Sequence, residues 1–396
     1  MPRLTETFTT QFGRAPDGVW SAPGRVNLIG EHTDYNGGLA LPIALPQRTH
    51  CAASARDDDL LRIHSLQEGA SAEVSISDVA AGHPAGWTAY VAGVVWALRQ
   101  AGYAVRGLDL VIDGRVPLGA GLSSSAALEC SVAAAASDLF GLGLLDTADG
   151  RKVLAAACQR AENDVAGAPT GGMDQSASML ATERHALRLD CRDGSTTQVP
   201  FDLTAHDAVL LVTDTRASHA LADGQYGARR DSCETAADLL GVEFLRDIDP
   251  AGLDEALGRL PDDVLRRRTR HVVTEIARVD EVVAALRDGD LAAVGRLFVA
   301  SHESLRDDYE VSCTELDLVV DTAVAQGALG ARMTGGGFGG SAIALVRAAD
   351  VDRVSAAIAG AFADARLTAP MSFSVTAAGP ANKDEPVSDD EPVSPA

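Results

Sequence analysis

The segment 123–140 constrains the fold more than any other part of the chain. It reads as a helix, rich in alanine and apolar on nearly every side. A helix of that kind has no face for water and must be buried. Its longest apolar run, 126–136, is broken by Glu129 and Ser131 and is too short to cross a bilayer. The helix is entered through Pro117-Leu-Gly-Ala-Gly-Leu-Ser-Ser-Ser-Ala-Ala-Leu-Glu129, which follows an alternating strand at 108–112.

Strands and helices interleave on both sides of it. Before it, 49–56 and 60–65 read as strands and 87–100 as a helix closed by Gly102. After it, Asp146 is a candidate N-cap for a helix running to about Glu162, and 185–190 returns to strand. Further on, 208–213, 328–333, 341–346 and 371–375 read as strands. Helices are expected at 225–240, 264–286, 291–306, 313–325 and 351–365. The alternation is too irregular for a doubly wound parallel sheet, so the expected class is α+β in two lobes. The lobes are placed at 1–195 and 196–379. From Pro380 the chain holds five acids, one Lys and four Pro, and 380–396 is expected to be a disordered, solvated tail.

With 33 Lys and Arg against 56 Asp and Glu, the net charge is −23. So acidic a body repels nucleic acid and anionic membranes. The six cysteines form no CxxC and no cluster with histidine. That excludes a disulfide framework and a zinc site on spacing and fits reduced thiols. The first ten residues have no apolar core, so no signal peptide and a cytoplasmic location are expected. No protein partner is indicated, and a monomer is compatible with that.

Four stretches carry chemistry. Residues 117–129 combine glycines, which let backbone approach a ligand, with serines at a helix N-terminus, a cradle suited to polyphosphate. There is no GK[ST] and no third dinucleotide glycine. The plainer alternative is a serine-capped helix after a tight turn. Gly24-Arg-Val-Asn-Leu-Ile-Gly-Glu-His-Thr-Asp-Tyr-Asn36 crowds Arg25, Glu31, His32 and Asp34 into ten residues. Such planar groups can grip adjacent sugar hydroxyls, or form an ordinary polar turn. Glu162 ends a helix and Asp174 follows twelve residues later, after a Pro-Thr-Gly-Gly turn. One could hold magnesium while the other faces a hydroxyl, or Glu162 could be a solvated helix end. Met333-Thr-Gly-Gly-Gly-Phe-Gly-Gly340 places five glycines in six positions between strands. It serves either close backbone approach or a flexible hairpin tip. Together these describe a kinase of neither P-loop nor protein-kinase type.

The 24–36 stretch resembles the galactokinase signature, and residues 117–127 and 333–340 resemble the phosphate loop and third motif of the GHMP kinases. Ser301-His, Asp307-Asp-Tyr-Glu-Val-Ser-Cys313, Trp87 and Tyr90-Val are similar to galactokinases as well. The resemblance runs from about residue 12 to 375. It implies a two-lobed fold with the site in the cleft, ATP as co-substrate, Mg²⁺ as cofactor and galactose as acceptor, phosphorylated at its anomeric hydroxyl. It assigns Asp174 as base and Arg25 as the charge-stabilising partner. Glu31, His32, Thr33, Asp34 and Tyr226 correspond to the sugar-binding residues. Gly119, Ala120, Gly121, Leu122, Ser123, Ser124 and Ser125 correspond to the ATP loop. Ser125 and Glu162 correspond to the metal ligands, and Ser65 to a position near adenine. The rival readings are a kinase for N-acetylgalactosamine or arabinose, and a galactose sensor that does not turn over. Such a sensor would be expected to lose Arg25, Asp174 or the serine loop, and all are present.

Overall fold

Residues 18–27, Gly-Val-Trp-Ser-Ala-Pro-Gly-Arg-Val-Asn, form a ten-residue strand with all but the first two buried. The computed structural model describes residues 2–168, 170–217 and 224–385. This strand takes in the first four residues of the 24–36 stretch, which thus begins as sheet and not as loop. The strand was hard to foresee, because Pro23 and Gly24 sit in its middle. There the register against strand Pro42–Ala55 shifts between Pro23 and Arg25, a bulge that accommodates both.

Among the described residues, three sheets organise the fold. In the first, the strand order is Asn382–Lys383, Gly18–Asn27, Pro42–Ala55, Leu108–Gly114, Leu60–Ser65 and Ala70–Ser75. The pair Leu60–Ser65 and Leu108–Gly114 runs parallel. Helices Trp87–Gln100, Ser124–Leu139 and Ala148–Arg160 pack on this sheet around one apolar core. Helix Ser124–Leu139 is buried on every side, as its composition requires, and Glu129 is buried with it. A second, antiparallel sheet orders Gly330–Thr334, Ser341–Arg347, Ala208–Asp214 and Met371–Val375. A third joins Leu39–Ala40, His185–Asp190 and Thr196–Pro200. The result is the expected α+β class in two lobes.

The lobes share a core. Val26, Leu28 and Ile43 pack in one cluster with Leu210, Val279, Phe298 and Ile343. Among the described residues, no helix is long and apolar enough to cross a membrane.

Three expectations are corrected. The N-cap of the helix after 146 is Thr147, whose hydroxyl accepts from Gly150 N at 3.0 Å; Asp146 lies in the preceding 3₁₀ turn. The boundary at 195 falls in the turn of the hairpin His185–Asp190/Thr196–Pro200, so a cut there would split a sheet. The solvated tail does not start at Pro380. Residues Asn382–Lys383 pair with strand Gly18–Asn27. Ala381 is fully buried, and Arg48 donates to the Pro380 carbonyl at 2.8 Å. Asp384 accepts from Ser21 and His50. Backbone pairing and charge-assisted bonds hold this segment where apolar burial cannot. The rest of the expected tail, 386–396, lies outside the described residues.

Candidate active site

Strand Gly18–Asn27 delivers Arg25 to the floor of a cavity of about 540 Å³. Arg25 is nearly buried, and its guanidinium forks onto Asp174, with Nε–Oδ1 2.8 Å and Nη2–Oδ2 3.0 Å. The fork fixes the carboxylate in position and angle at once. Its remaining Nη1 donates to the Gly121 carbonyl at 2.7 Å. Asp174 stands in the first turn of helix Met173–Leu180, an element the sequence reading did not assign. Gly172 enters that helix at φ +83°, a conformation suited to glycine.

One wall of the cavity comes from 31–34. Glu31, His32 and Asp34 line the cavity together with Tyr226, Gly335 and Gly336. Glu31 is buried, and its Oε1 accepts from Gly335 N at 2.7 Å. Burial pushes its carboxyl up, against the pull of Arg332 and Arg25. Burial also pushes His32 down to about 3, so its ring is neutral. Its Nε2 lies 3.1 Å from the Gly336 carbonyl, which can only accept. The proton therefore sits on Nε2, and Nδ1 accepts from Tyr35 Oη at 2.8 Å. Asp34 is pushed up to about 6, first by burial and then by the charge of Asp174. A Cβ on Gly171 would lie 2.1 Å from Asp34 Oδ2, so glycine there is what admits the carboxylate. Thr33 is not part of the lining. It is fully buried, and its hydroxyl lies within hydrogen-bond distance of the Leu39 and Gly30 carbonyls, at 2.6 and 3.1 Å.

The wall built by the 119–125 loop is mostly backbone. The carbonyl of Ala120 accepts from Ser341 Oγ at 2.7 Å, that of Gly121 from the Arg25 side chain, and that of Leu122 from Arg25 N at 3.1 Å. In a trans peptide the next N–H points the opposite way, so three anchored carbonyls turn the N–H groups of 121–123 away from the anchors. The side chains of Ala120 and Leu122 are core. Only their backbones are available to a ligand. Gly119 and Gly121 take φ +73° and +70°. Gly335 brings the glycine cluster against this loop; a Cβ there would sit 3.0 Å from Gly121 O. The cluster thus serves backbone-to-backbone approach. Ser123, at φ +60°, donates to Asp174 Oδ2 at 2.5 Å, so this serine supports the carboxylate.

Ser125 and Glu162 meet behind the loop. Glu162 lies in a π-helical turn, Ala161–Ala166, and is buried. Burial and the Asp174 charge push it up to about 7, against hydrogen bonds from Ser125, Gln175 and Thr170. A carboxylate beside a hydroxyl is a hard oxygen pair that suits Mg²⁺. Among the described residues, no three His, Cys, Asp or Glu side chains form a metal cage. A metal here would complete its shell with water or substrate oxygens. Gln175 Nε2 donates to Glu162 Oε2 at 2.6 Å and to Glu129 Oε2 at 3.0 Å. Gln175 and Glu129 were not singled out, although an acid inside a wholly apolar helix signals a buried polar partner. Ser65 stands apart from the main cavity. It borders a second one of about 80 Å³ with Trp87, Leu118 and Ser124.

The chain matches three family models. They are the galactokinase galactose-binding signature over residues 6–55, the GHMP kinases N terminal domain over 89–182 and the GHMP kinases C terminal over 282–364. It is 56% identical to a galactokinase of Streptomyces coelicolor over 370 residues, covering 93% of this chain and 94% of that protein. It is 42% identical to a galactokinase of Chloroflexus aurantiacus over 366 residues, covering 91% and 92%. The fold superposes on Lactococcus lactis galactokinase complexed with galactose at a TM-score of 0.91, with 33% identity and coverage of 96% and 99%. Methanococcus jannaschii mevalonate kinase, at 16% identity and a TM-score of 0.63 over 91% of this chain and 98% of that one, shares the fold.

Proposed function

The chain belongs to the galactokinase family of GHMP kinases and phosphorylates galactose with ATP, and we propose that the transfer runs to the anomeric hydroxyl through Asp174 and Arg25. The observation that carries this reading is the Arg25–Asp174 fork, held between the 540 Å³ cavity and the 119–125 loop. Galactose occupies the cavity against Glu31, His32, Asp34 and Tyr226. The phosphates of ATP lie on the N–H groups of 121–123 and the N-terminus of helix Ser124–Leu139. The adenine end of ATP lies toward Ser65 and Trp87.

Asp174 accepts the hydrogen bond of the anomeric hydroxyl and takes its proton as the new bond forms. The oxygen attacks the γ-phosphorus, the bond to the β–γ bridging oxygen breaks, and its electron pair leaves with ADP. Arg25 sets the angle of Asp174 and places positive charge beside the transferring group. Ser123 donates to Asp174 Oδ2, the oxygen that Arg25 Nη2 also holds. Ser125 and Glu162 would hold Mg²⁺, which when bound neutralises phosphate charge.

A coupled ADP-release assay with galactose, N-acetylgalactosamine, arabinose and glucose tests the substrate. Galactose should give the highest kcat/KM. A higher value for another of these sugars, or no ADP release at all, would refute the reading.

A further inference from the structure

Helix Asp263–Arg287 carries two fully buried polar residues one turn apart, His271 and Glu275. Neither lines the cavity. Residues four apart share one helix face, and this face meets the loop that carries Glu31. Glu275 Oε1 accepts from Gly30 N at 3.0 Å, from Glu31 N at 3.4 Å and from Ser301 Oγ at 2.7 Å. Its Oε2 accepts from Arg278 Nη1 at 2.7 Å. His271 Nε2 lies 3.1 Å from the Glu31 carbonyl and donates to it, while Nδ1 accepts from Ser304 Oγ at 2.9 Å.

The backbone of Glu31 is therefore gripped at its N–H and at its C=O by one helix of the other lobe. Arg332 adds a third hold. It is fully buried, donates to the Leu28 carbonyl at 2.8 Å, and stands 3.6 and 3.7 Å from the carboxylates of Glu275 and Glu31. Burial keeps His271 neutral, at about 4, and the flanking arginines hold Glu275 down at about 2 despite its burial. Each group is thus in the protonation state its hydrogen bonds require.

We propose that His271 and Glu275 are positioning residues for galactose: they fix the backbone of Glu31 across the lobe boundary and so aim its carboxylate into the cavity. This rests on the reading of Glu31 as a sugar-binding residue. A pair that only staples the lobes together would change stability and leave affinity alone. A clamp on Glu31 changes galactose affinity selectively.

Isothermal titration of the full chain with galactose and, separately, with ATP distinguishes these. Four proteins are compared: the parent, Glu31→Gln, Glu275→Gln and the double variant. Glu275→Gln keeps an acceptor for the N–H groups but removes the charge facing Arg278 and Arg332. It should raise the galactose Kd about tenfold and leave the ATP Kd within about twofold, since hydrogen bonds to a charged group are the stronger ones. Because Glu275 acts through Glu31, the double variant should bind galactose no more than about twofold worse than the weaker single variant. An unchanged galactose Kd in Glu275→Gln, or two factors that multiply in the double variant, overturns the proposal. An unchanged galactose Kd in Glu31→Gln overturns the underlying site reading, and the proposal with it. Should Glu275→Gln fail to fold, Ser301→Ala removes one donor from the same oxygen. A galactose Kd raised about threefold with unchanged ATP affinity then supports the clamp, and no change rejects it.

Discussion

The two walls of the cleft are made of different material. The wall proposed to face phosphate is backbone, shaped by Gly119, Gly121 and Gly335, with its carbonyls anchored by Arg25 and Ser341. The wall proposed to face the sugar is side chain, with Glu31 and His32 buried and tied to Gly335, Gly336 and Tyr35. A backbone wall presents the same N–H groups whatever side chains surround it. A side-chain wall reads individual hydroxyls, and substitutions should therefore hurt it selectively. Asp174 belongs to both walls, through Arg25 on one side and the cavity on the other.

The largest effect is expected where the walls meet. Asp174→Asn keeps size and some hydrogen bonding but cannot take a proton. It should lower kcat by at least ~100-fold, the low end of acid–base contributions, while galactose binding by titration stays within about threefold of the parent. A kcat near that of the parent would show that Asp174 only occupies space.

Next comes the sugar wall, at Asp34. Removing this half-buried carboxylate should cost roughly tenfold to 100-fold in galactose kcat/KM. Asp34→Ala should also narrow the galactose-to-glucose ratio, because unpaired groups discriminate between epimers. Equal losses for both sugars would mean that this wall does not read O4. The same residue sets a pH dependence. Its carboxyl is raised from 3.8 to about 6 in the folded protein. The proton therefore stabilises the sugar-free fold, an effect complete below 3.8 and lost as pH rises through about 6. Galactose affinity should run the other way, increasing from pH 5 to 7 as Asp34 ionises and accepts hydroxyl hydrogen bonds. Titrations at three pH values should show this slope in the parent, and Asp34→Asn should flatten it.

On the phosphate side, Glu162→Gln replaces a hard carboxylate with an amide. The Mg²⁺ concentration for half-maximal ATP use should rise about tenfold, with galactose affinity within about twofold. Overlaid magnesium titrations of variant and parent would return Glu162 to a structural role, as the partner of Gln175 and Thr170.

The same contrast explains what the sequence revealed. The buried helix, the two-lobed class and the phosphate wall were legible because they depend on local signals: an apolar run, glycines at turns, serines before a helix. Arg25, Glu31, Asp34 and Asp174 stood out by residue type and crowding, but their individual roles came through motif resemblance. Spacing alone could not bring residues 25 and 174 together. Gln175, Glu129, His271 and Glu275 were missed because their roles depend on partners 13 to 245 positions away. Strand Asn382–Lys383 was missed for a related reason. Its composition is that of a solvated tail, and it is ordered by the edge of strand Gly18–Asn27 and by bonds from Arg48, Ser21 and His50. Resemblance also does not separate the side chains within one motif. Thr33 lies between two cavity residues, yet the chain turns it inward.

Thr33 gives the smallest and sharpest test of the side-chain wall. Its hydroxyl lies 2.6 Å from Leu39 O and 3.1 Å from Gly30 O, so it ties the ends of the sugar loop together without reaching the cavity. Thr33→Val keeps the shape and leaves a buried carbonyl short of a donor. A lost hydrogen bond of this kind costs about 1–2 kcal/mol, which at this chain length is a fall of a few degrees in Tm. A ligand role predicts something else. If the hydroxyl touched sugar, the valine variant would lose galactose affinity and change its galactose-to-glucose ratio at constant Tm. The expected pattern is the reverse: lower Tm by calorimetry, kcat/KM for galactose within about twofold, and an unchanged ratio. A changed ratio at unchanged Tm would put Thr33 back among the residues that read the sugar.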